Sequence, residues 1–321
     1  TQTEQNMENN QTVKGFKLWW IAIRPYSFPA SVMPVIYGSL LAVLLSDGLK
    51  FNFVDFIICI LGSVLVHIGS NLINDIYDYQ KGIDKEDKEA GIPHGGSLVL
   101  SKKLMNPSTM MKGAIFSLFL AGLSGIYLMF NAGIWVLYLM ILGFVMAVFY
   151  TAKPLQLKYF AFGDIMVFLS FGSGMTLGAY IVQTHQFSFI PILLSIPFGL
   201  LIIAILHSNN IRDVKFDGRF GVKTVAIILG EKLSRYYYYV LIIGSYVSIV
   251  AFVIFGLLPV FALLNLITLP AGIKLIKMLN NLPEGIQERW EYGTKHNVMT
   301  AQFNTQFGVT LMVGLILALI F

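Results

Sequence analysis

An all-α polytopic membrane fold, a bundle of nine transmembrane helices with an Asp-rich site on its cytoplasmic side, is predicted by three features of this 321-residue chain. Charged residues make up 12% of it and hydrophobic residues 56%, where a soluble domain carries about 25% charged residues. The mean hydropathy is +0.72, and apolar runs follow one another, each close to the roughly 20 residues that carry a helix across a bilayer. The third feature is charge placement. With nine spans and the N-terminus in the cytoplasm, 21 of the 22 Lys and Arg residues fall in the N-terminal tail, in the loops after spans two, four, six and eight, or on adjoining helix ends; Lys50 alone lies opposite. Such asymmetry follows the positive-inside rule and supports an odd number of spans. An integral protein of a bacterial or archaeal plasma membrane is expected. The net charge of +5 reports topology and attraction to anionic lipid or a phosphorylated ligand, not to nucleic acid.

Residues 1–17 read as a polar tail that lacks the basic start of a cleavable leader, with Met7 a candidate start, and residues 18–321 as one membrane domain. The first span, about 18–46, carries Arg24 within WWIAIRPYSFPASVMPVIYG. An arginine that deep is costly without an anion, so it is expected to face an acidic group or a phosphate in the bundle interior; snorkelling to the surface is the alternative. Pro25, Pro29 and Pro34 should kink or interrupt this helix. The second span, about 53–75, holds the single Cys59, which excludes an intrachain disulfide and a cysteine metal cluster.

That span ends in NLINDIYDYQKGID, residues 71–84, and a cytoplasmic loop over about 76–110 contains KEDKEAGIPHGGSLVLSKKL. The glycines of the loop with Lys102 and Lys103 are able to fold over a phosphate. Spans three and four, about 111–130 and 133–151, lead into YTAKPLQLKYFAFGD at 150–164. Here Lys153 and Lys158 supply cations, Tyr150 and Tyr159 are interfacial anchors or hydrogen-bond donors, and Asp164 suits the dipole at the start of span five, about 163–183. Span six, about 189–209, runs into SNNIRDVKFDGRFGVKT at 208–224, with a second cytoplasmic loop over about 210–235. The GVKT stretch lacks the spacing of a P-loop. Spans of about 236–256, 257–279 and 298–321 close the bundle. His67 and His207, each near an acidic stretch, are either packed and hydrogen-bonded or line a polar pore.

The two acidic stretches echo each other. Ser70-Asn71-Leu72-Ile73-Asn74-Asp75 and Ser208-Asn209-Asn210-Ile211-Arg212-Asp213 share Ser-Asn-x-Ile-x-Asp at a separation of 138 residues. A second aspartate follows each, Asp78 and Asp217, and Asp84 extends the first. The repeat suggests a duplicated helical unit with a site between its halves. Residues three and four apart share a helix face, so Asn71, Asp75 and Asp78 should point together, as should Asn209, Asp213 and Asp217. Carboxylates gathered at helix C-termini repel one another and the dipole, which calls for positive charge. An oxygen-only donor set without a His/Cys cluster suits Mg²⁺, which takes one or two carboxylates and fills its shell with water and substrate phosphate. A diphosphate at the mouth and an apolar interior below match the polarity of a polyprenyl diphosphate.

NLINDIYDYQKGID with NNIRDVKFDGRFGVKT resembles the paired Asp-rich motifs of the UbiA superfamily of intramembrane prenyltransferases, and the resemblance covers essentially the whole chain. RPYSFPASVMPVIYG, YTAKPLQLKYFAFGD and NNIRD look most like the menaquinone branch, which prenylates 1,4-dihydroxy-2-naphthoate with loss of its carboxylate. The resemblance implies Mg²⁺-dependent ionisation of a polyprenyl diphosphate and attack by an aromatic acceptor. By motif, Asp75, Asp78, Asp213 and Asp217 would hold Mg²⁺ and diphosphate, with Asn71, Asn74, Asn209 and Asn210 in support. Arg24, Lys158 and Arg212 would neutralise the leaving group, and Tyr150, Asp84 and Lys102 would contact substrate. Where members of the family carry an arginine after the first motif, this chain reads GIPHGGSLVLSKK.

Two other classes stay open at this level. The same chemistry is able to serve 4-hydroxybenzoate, homogentisate or a glycerol-phosphate lipid. A cation-coupled transporter also uses intramembrane carboxylates, but here the acids gather at one membrane face and an odd span count does not divide into equal repeats.

Overall fold

The computed structural model describes residues 15–82, 96–217 and 221–321, with the side chains of residues 215–217 and 286 outside the described set. Helix α1 (Phe16–Ile23) and helix α2 (Pro29–Leu45) meet at a 51° bend. Arg24 makes the break: it adopts a left-handed conformation with φ 54° and closes α1, while Pro25 and Pro29 open the next turns. The prolines thus interrupt the first span as expected. Pro34 is accommodated inside α2.

Helices α3 (Phe53–Lys81), α4 (Pro107–Ala132) and α5 (Ile134–Phe149) follow. Next come α6 (Gly163–Thr184), the short α7 (Ile190–Leu194) and α8 (Ile196–Asp217). Helices α9 (Val225–Ile254), α10 (Val260–Asn280) and α11 (Ile286–Ile320) complete the chain. Helix α6 contains a wide π-helical turn at Phe168–Gly174, whose Gly172 packs so closely on Gly199 of α8 that a Cβ there would lie 2.8 Å from the Gly199 Cα.

Among the described residues, six helices are long and apolar enough to cross a membrane, and the bent pair α1–α2 makes a seventh. Helix α5 is apolar but has only 16 residues, and α8 turns polar over its last three turns, from His207 to Asp217. The chain is an integral membrane protein.

Both acidic helices run further than their hydropathy implies. α3 continues to Lys81, where Gly82, at φ 80°, stops it by taking up the carbonyls of Asp78 and Tyr79. α8 continues to Asp217 and α9 starts at Val225. The loops expected over 76–110 and 210–235 are therefore shorter, and Asp75, Asp78, Asp213 and Asp217 sit on helical turns. Charged residues end a hydropathy run, but they do not end a helix whose backbone stays hydrogen-bonded.

One large apolar core, with Tyr37, Phe198, Leu201, Phe303 and Phe307 nearly solvent-free, joins α2, α6 and α8–α11. A smaller cluster of Leu18, Leu72, Ile76, Val99, Leu100 and Met110 seats the segment after residue 96 against α1, α3 and α4. At the far end of α3, Asn52 caps the helix through Val54 N and Asp55 N, both at 3.1 Å. The buried Asp55 carboxylate accepts from Asn52 Nδ2 and from Asn131 Nδ2 of α4, each at 3.0 Å. Gln183 of α6 closes the clamp, accepting from Asn52 N at 2.9 Å and donating to Asn52 O at 3.1 Å.

Candidate active site

The stripe His67, Asn71, Asn74 and Asp78 follows the three-and-four spacing of one helix face, and all four line a cavity of about 1040 Å³. Opposite them, α8 contributes Asn209, Asn210, Arg212 and Asp213, and the α5–α6 link contributes Tyr150, Lys158 and Tyr159. Away from these polar groups the wall becomes apolar, reaching Cys59 on α3, Leu128 on α4 and Leu139 on α5. Asp78 and Cys59 are 19 residues apart on α3, so the cavity extends about 28 Å along that helix at 1.5 Å per residue.

Asp78 is nearly solvent-free and fully engaged. Lys158 Nζ lies 2.6 Å from its Oδ2 and 2.9 Å from Asn74 Oδ1, while Tyr159 donates to Oδ1 at 2.6 Å. Lys81 Nζ stacks 3.4 Å above the Tyr159 ring, a cation–π contact. Lys223 N donates to Tyr159 O at 3.0 Å, so the turn that delivers Lys158 and Tyr159 is tied to the end of the second motif. On α8 the Arg212 guanidinium binds Asp213 through two bonds of 2.7 Å and donates to Thr294 of α11 at 3.2 Å. This fork geometry is available to arginine and not to lysine.

Asp75 departs from the expectation that it shares the face of Asn71 and Asp78. It lies about 60° round the helix from Asp78 and is not among the cavity-lining residues. Its carboxylate pairs instead with Arg24 and accepts from Ser97 N at 3.0 Å and from the Ser97 hydroxyl. Arg24 itself does line the cavity and also donates to Asn71 O at 3.4 Å. The expected acidic partner for this intramembrane arginine is therefore found, and snorkelling is not needed.

Gly96 is packed onto that pair, and a Cβ there would overlap both Asp75 Oδ1 and the Arg24 guanidinium. Gly96→Ala is expected to force the pair apart and lower stability by about 1–3 kcal/mol, the usual cost of overpacking. Thermal unfolding in nanodiscs checks this, and an unchanged midpoint would mean that the segment moves aside without loss.

Lys102 is exposed and does not line the cavity; Arg24 stands where it was expected to help. Asp164 accepts from Tyr237 at 3.0 Å in the first turn of α6. His67 is a buried, hydrogen-bonded residue that also lines the cavity, between Ser27 and Ser31 at 3.4 and 3.1 Å. His207 meets Ser234 O at 3.0 Å. Asp84 lies outside the described residues, and Asp217 ends α8 with its side chain outside the described set. Sequence reading missed Ser97 and Thr294; the Gly-Gly-Ser at 95–97 was the only local signal for the first, and nothing marked the second.

A cavity with paired carboxylates and cations at one end and an apolar bore below is built to hold an amphiphile by an anionic head. The UbiA prenyltransferase family model matches residues 31–289. The chain belongs to the UbiA prenyltransferase family.

As a UbiA member it is a prenyltransferase. It is 29% identical over 304 residues to 1,4-dihydroxy-2-naphthoate octaprenyltransferase of Bacillus subtilis, covering 94% of this chain and 93% of that protein. It is 32% identical to the UbiA prenyltransferase domain-containing protein 1 homolog of Drosophila melanogaster, over 94% of this chain and 80% of that one. Among solved folds, the apo UbiA homolog from Aeropyrum pernix superposes with a TM-score of 0.67 at 17% identity, covering 92% of this chain and 98% of its own. A UbiA homolog from Archaeoglobus fulgidus bound to DMAPP and Mg²⁺ superposes at 0.56 and 16% identity, over 92% and 99% of the two chains.

Proposed function

We propose that this prenyltransferase moves a polyprenyl chain from its diphosphate to 1,4-dihydroxy-2-naphthoate, with loss of the carboxylate. The observation that carries the donor half is the two-ended cavity, polar at Asp78, Lys158, Arg212 and Asp213 and apolar down to Cys59 and Leu139. The acceptor rests on the Bacillus subtilis relative, matched over nearly the full length of both chains. Nine membrane crossings with the N-terminus and the Asp-rich face in the cytoplasm are the arrangement that the charge asymmetry supports.

The donor set fits a hard cation, since the side-chain atoms of Asp78, Asp213, Asn74 and Asn209 able to ligate a metal are all oxygens. Asp78 and Asp213 would hold Mg²⁺, with Asp217 one helical turn further along α8, while Asp75 is kept by Arg24 and Ser97 as the girder of the mouth. The bound metal supplies Lewis-acid charge at the diphosphate oxygens. Lys158, Arg24 and Arg212 add positive charge where the leaving group gathers negative charge, and so favour the transition state over the ground state. The allylic C–O bond breaks with its electron pair leaving on diphosphate, and an acceptor ring carbon then bonds the allylic carbon as carbon dioxide departs. The apolar wall around Leu128, Met140 and Phe171 holds the tail and keeps water from the cation.

A second reading keeps the chemistry and changes the acceptor to 4-hydroxybenzoate, homogentisate or a glycerol-phosphate lipid. It is favoured by animal relatives whose identity exceeds that of the bacterial one and whose names specify no acceptor. Purified protein in nanodiscs given Mg²⁺, a mixture of prenyl diphosphates and these acceptors separates the two by mass spectrometry. A prenylated, decarboxylated naphthalenediol is the expected product; turnover of another acceptor with none of the naphthoate would overturn the first reading.

A further inference from the structure

The apolar bore has a floor. The lining residues furthest from the mouth are Cys59 of α3, Leu128 of α4, Leu139 of α5 and Gly178 of α6. A Cβ on Gly178 would touch Leu139 Cδ1 at 3.7 Å, so α5 and α6 close on each other there. Just beyond this level the wall turns polar and bonded. Asp55 lies one helical turn past Cys59, Asn131 three residues past Leu128 and Gln183 five past Gly178. Asp55 and Gln183 are 1% and 5% exposed. The bonds of Asp55 to Asn131 and of Gln183 to Asn52 tie α4 and α6 to α3. At the start of α5, Trp135 packs on Phe187 with ring centroids 4.7 Å apart. An apolar chain pushed past this level would have to break buried hydrogen bonds and offer nothing in return.

Depth along α3 turns the floor into a length. Asp78 and Cys59 are 19 residues apart, about 28 Å. An extended isoprene unit, four chain bonds of about 1.5 Å in zigzag, spans about 5 Å. With a few ångströms below Asp78 given to the head, about four or five units fill the bore, and eight would need about 40 Å.

A second mark stands partway down. Gly122 of α4 and Gly143 of α5 both line the cavity. Gly133 alone joins these helices, and the two glycines lie eleven residues before it and ten after it, at one level. Gly62 of α3 faces Ser124 of α4, which sets Gly122 near the height of Val64, about 21 Å below Asp78. Glycine is a poor helix residue, and elsewhere in α3 close packing accounts for it. A Cβ on Gly62 or Gly69 would press on Ser124 or Leu118, whereas one on Gly122 or Gly143 would meet no atom within 4 Å. The room they leave lies where a fourth isoprene unit would pass.

We propose that the bore is a length gauge for the donor's tail, ended by Leu128 and Leu139 over the Asn52–Asp55–Asn131–Gln183 clamp and kept open for the fourth unit by Gly122 and Gly143. It selects donors of about four or five isoprene units over longer ones. This rests on the donor half of the proposed function and is independent of the acceptor.

The test offers the full chain in nanodiscs an equimolar mixture of geranyl, geranylgeranyl and octaprenyl diphosphates with Mg²⁺ and no acceptor. Mass spectrometry reads the bound fraction, and empty nanodiscs correct for partition of the tails into lipid. Wild-type protein is expected to retain geranylgeranyl diphosphate best and octaprenyl diphosphate about tenfold less or weaker still, the scale on which an apolar pocket resolves even one methylene. Gly122→Leu and Gly143→Leu are each expected to lose about tenfold in geranylgeranyl diphosphate, with geranyl diphosphate, whose tail ends above them, within about twofold of wild type. Gly122→Ala and Gly143→Ala add one methyl each in open space, so their melting temperatures should stay level or rise.

Octaprenyl diphosphate retained as well as geranylgeranyl diphosphate by wild-type protein means that the tail leaves the bore sideways, and overturns the gauge whichever acceptor is prenylated. Loss of both shorter donors alike in the leucine variants, loss of neither, or a fall in melting temperature in the alanine variants overturns the role of the two glycines. The expected length preference without any transfer to the naphthoate sustains the gauge and overturns the acceptor.

Discussion

Asp78→Asn and Asp213→Asn are each expected to cut Mg²⁺-dependent release of diphosphate by about 10²–10³-fold, the range found when one preorganised electrostatic group is removed from a transition state. The substitutions keep side-chain shape and remove one charge. In Asp78→Asn the amide oxygen would still accept from Tyr159, which sits 2.6 Å from Asp78 Oδ1, and Lys158 would keep its bond to Asn74 at 2.9 Å. In Asp213→Asn the amide oxygen would still accept one of the two 2.7 Å bonds from Arg212, whose third contact, to Thr294, is independent of it. Folding should therefore survive, and the loss should fall on kcat. Diphosphate release from an allylic substrate at saturating Mg²⁺, with size-exclusion profiles as the folding control, measures this. Turnover at the wild-type rate in either variant would remove that aspartate from the metal and diphosphate site.

The second large effect belongs to the Arg24–Asp75 pair. Arg24→Met and Asp75→Leu are each expected to cost about 3–5 kcal/mol, because each leaves the other charge buried without its partner. The side chains are 13% and 3% exposed, so little solvent is available to compensate. The double variant should recover most of that stability, as apolar replacements of buried ion pairs often do. It should not recover activity, since Arg24 also lines the cavity proposed to receive the leaving group. A double-mutant cycle on unfolding midpoints and on turnover separates the two roles. Additive losses in stability would show that the pair is not coupled.

Much of this was legible in the chain. The apolar runs gave the order of the helical units, and the prolines after Arg24 gave the break in the first. The echo of Ser-Asn-x-Ile-x-Asp marked α3 and α8, whose copies of the motif line one cavity. What escaped was azimuth and length. A three-and-four rule places Asn71, Asp75 and Asp78 within one broad face, but a difference of about 60° decides which carboxylate meets the cavity and which meets Arg24. The helix ends escaped because hydropathy falls at Asn71 and Ser208 while backbone hydrogen bonding continues to Lys81 and Asp217. Ser97 and Thr294 were invisible for another reason. Their roles come from neighbours brought by other helices, and no local pattern records them.

The clamp of Asn52, Asp55, Asn131 and Gln183 fixes more than the start of α3. Asp55 and Asp75 are 20 residues apart on one unbroken helix, so holding one end sets the angular phase of the other. Each residue turns an α-helix by about 100° and lengthens it by about 1.5 Å. Deleting any single residue between them would swing Asp78 and Asn74 off the cavity and carry Asp75 away from Arg24, though every site residue remained. Helix α3 therefore works as a keyed shaft, and its register is as much a part of the active site as its carboxylates are.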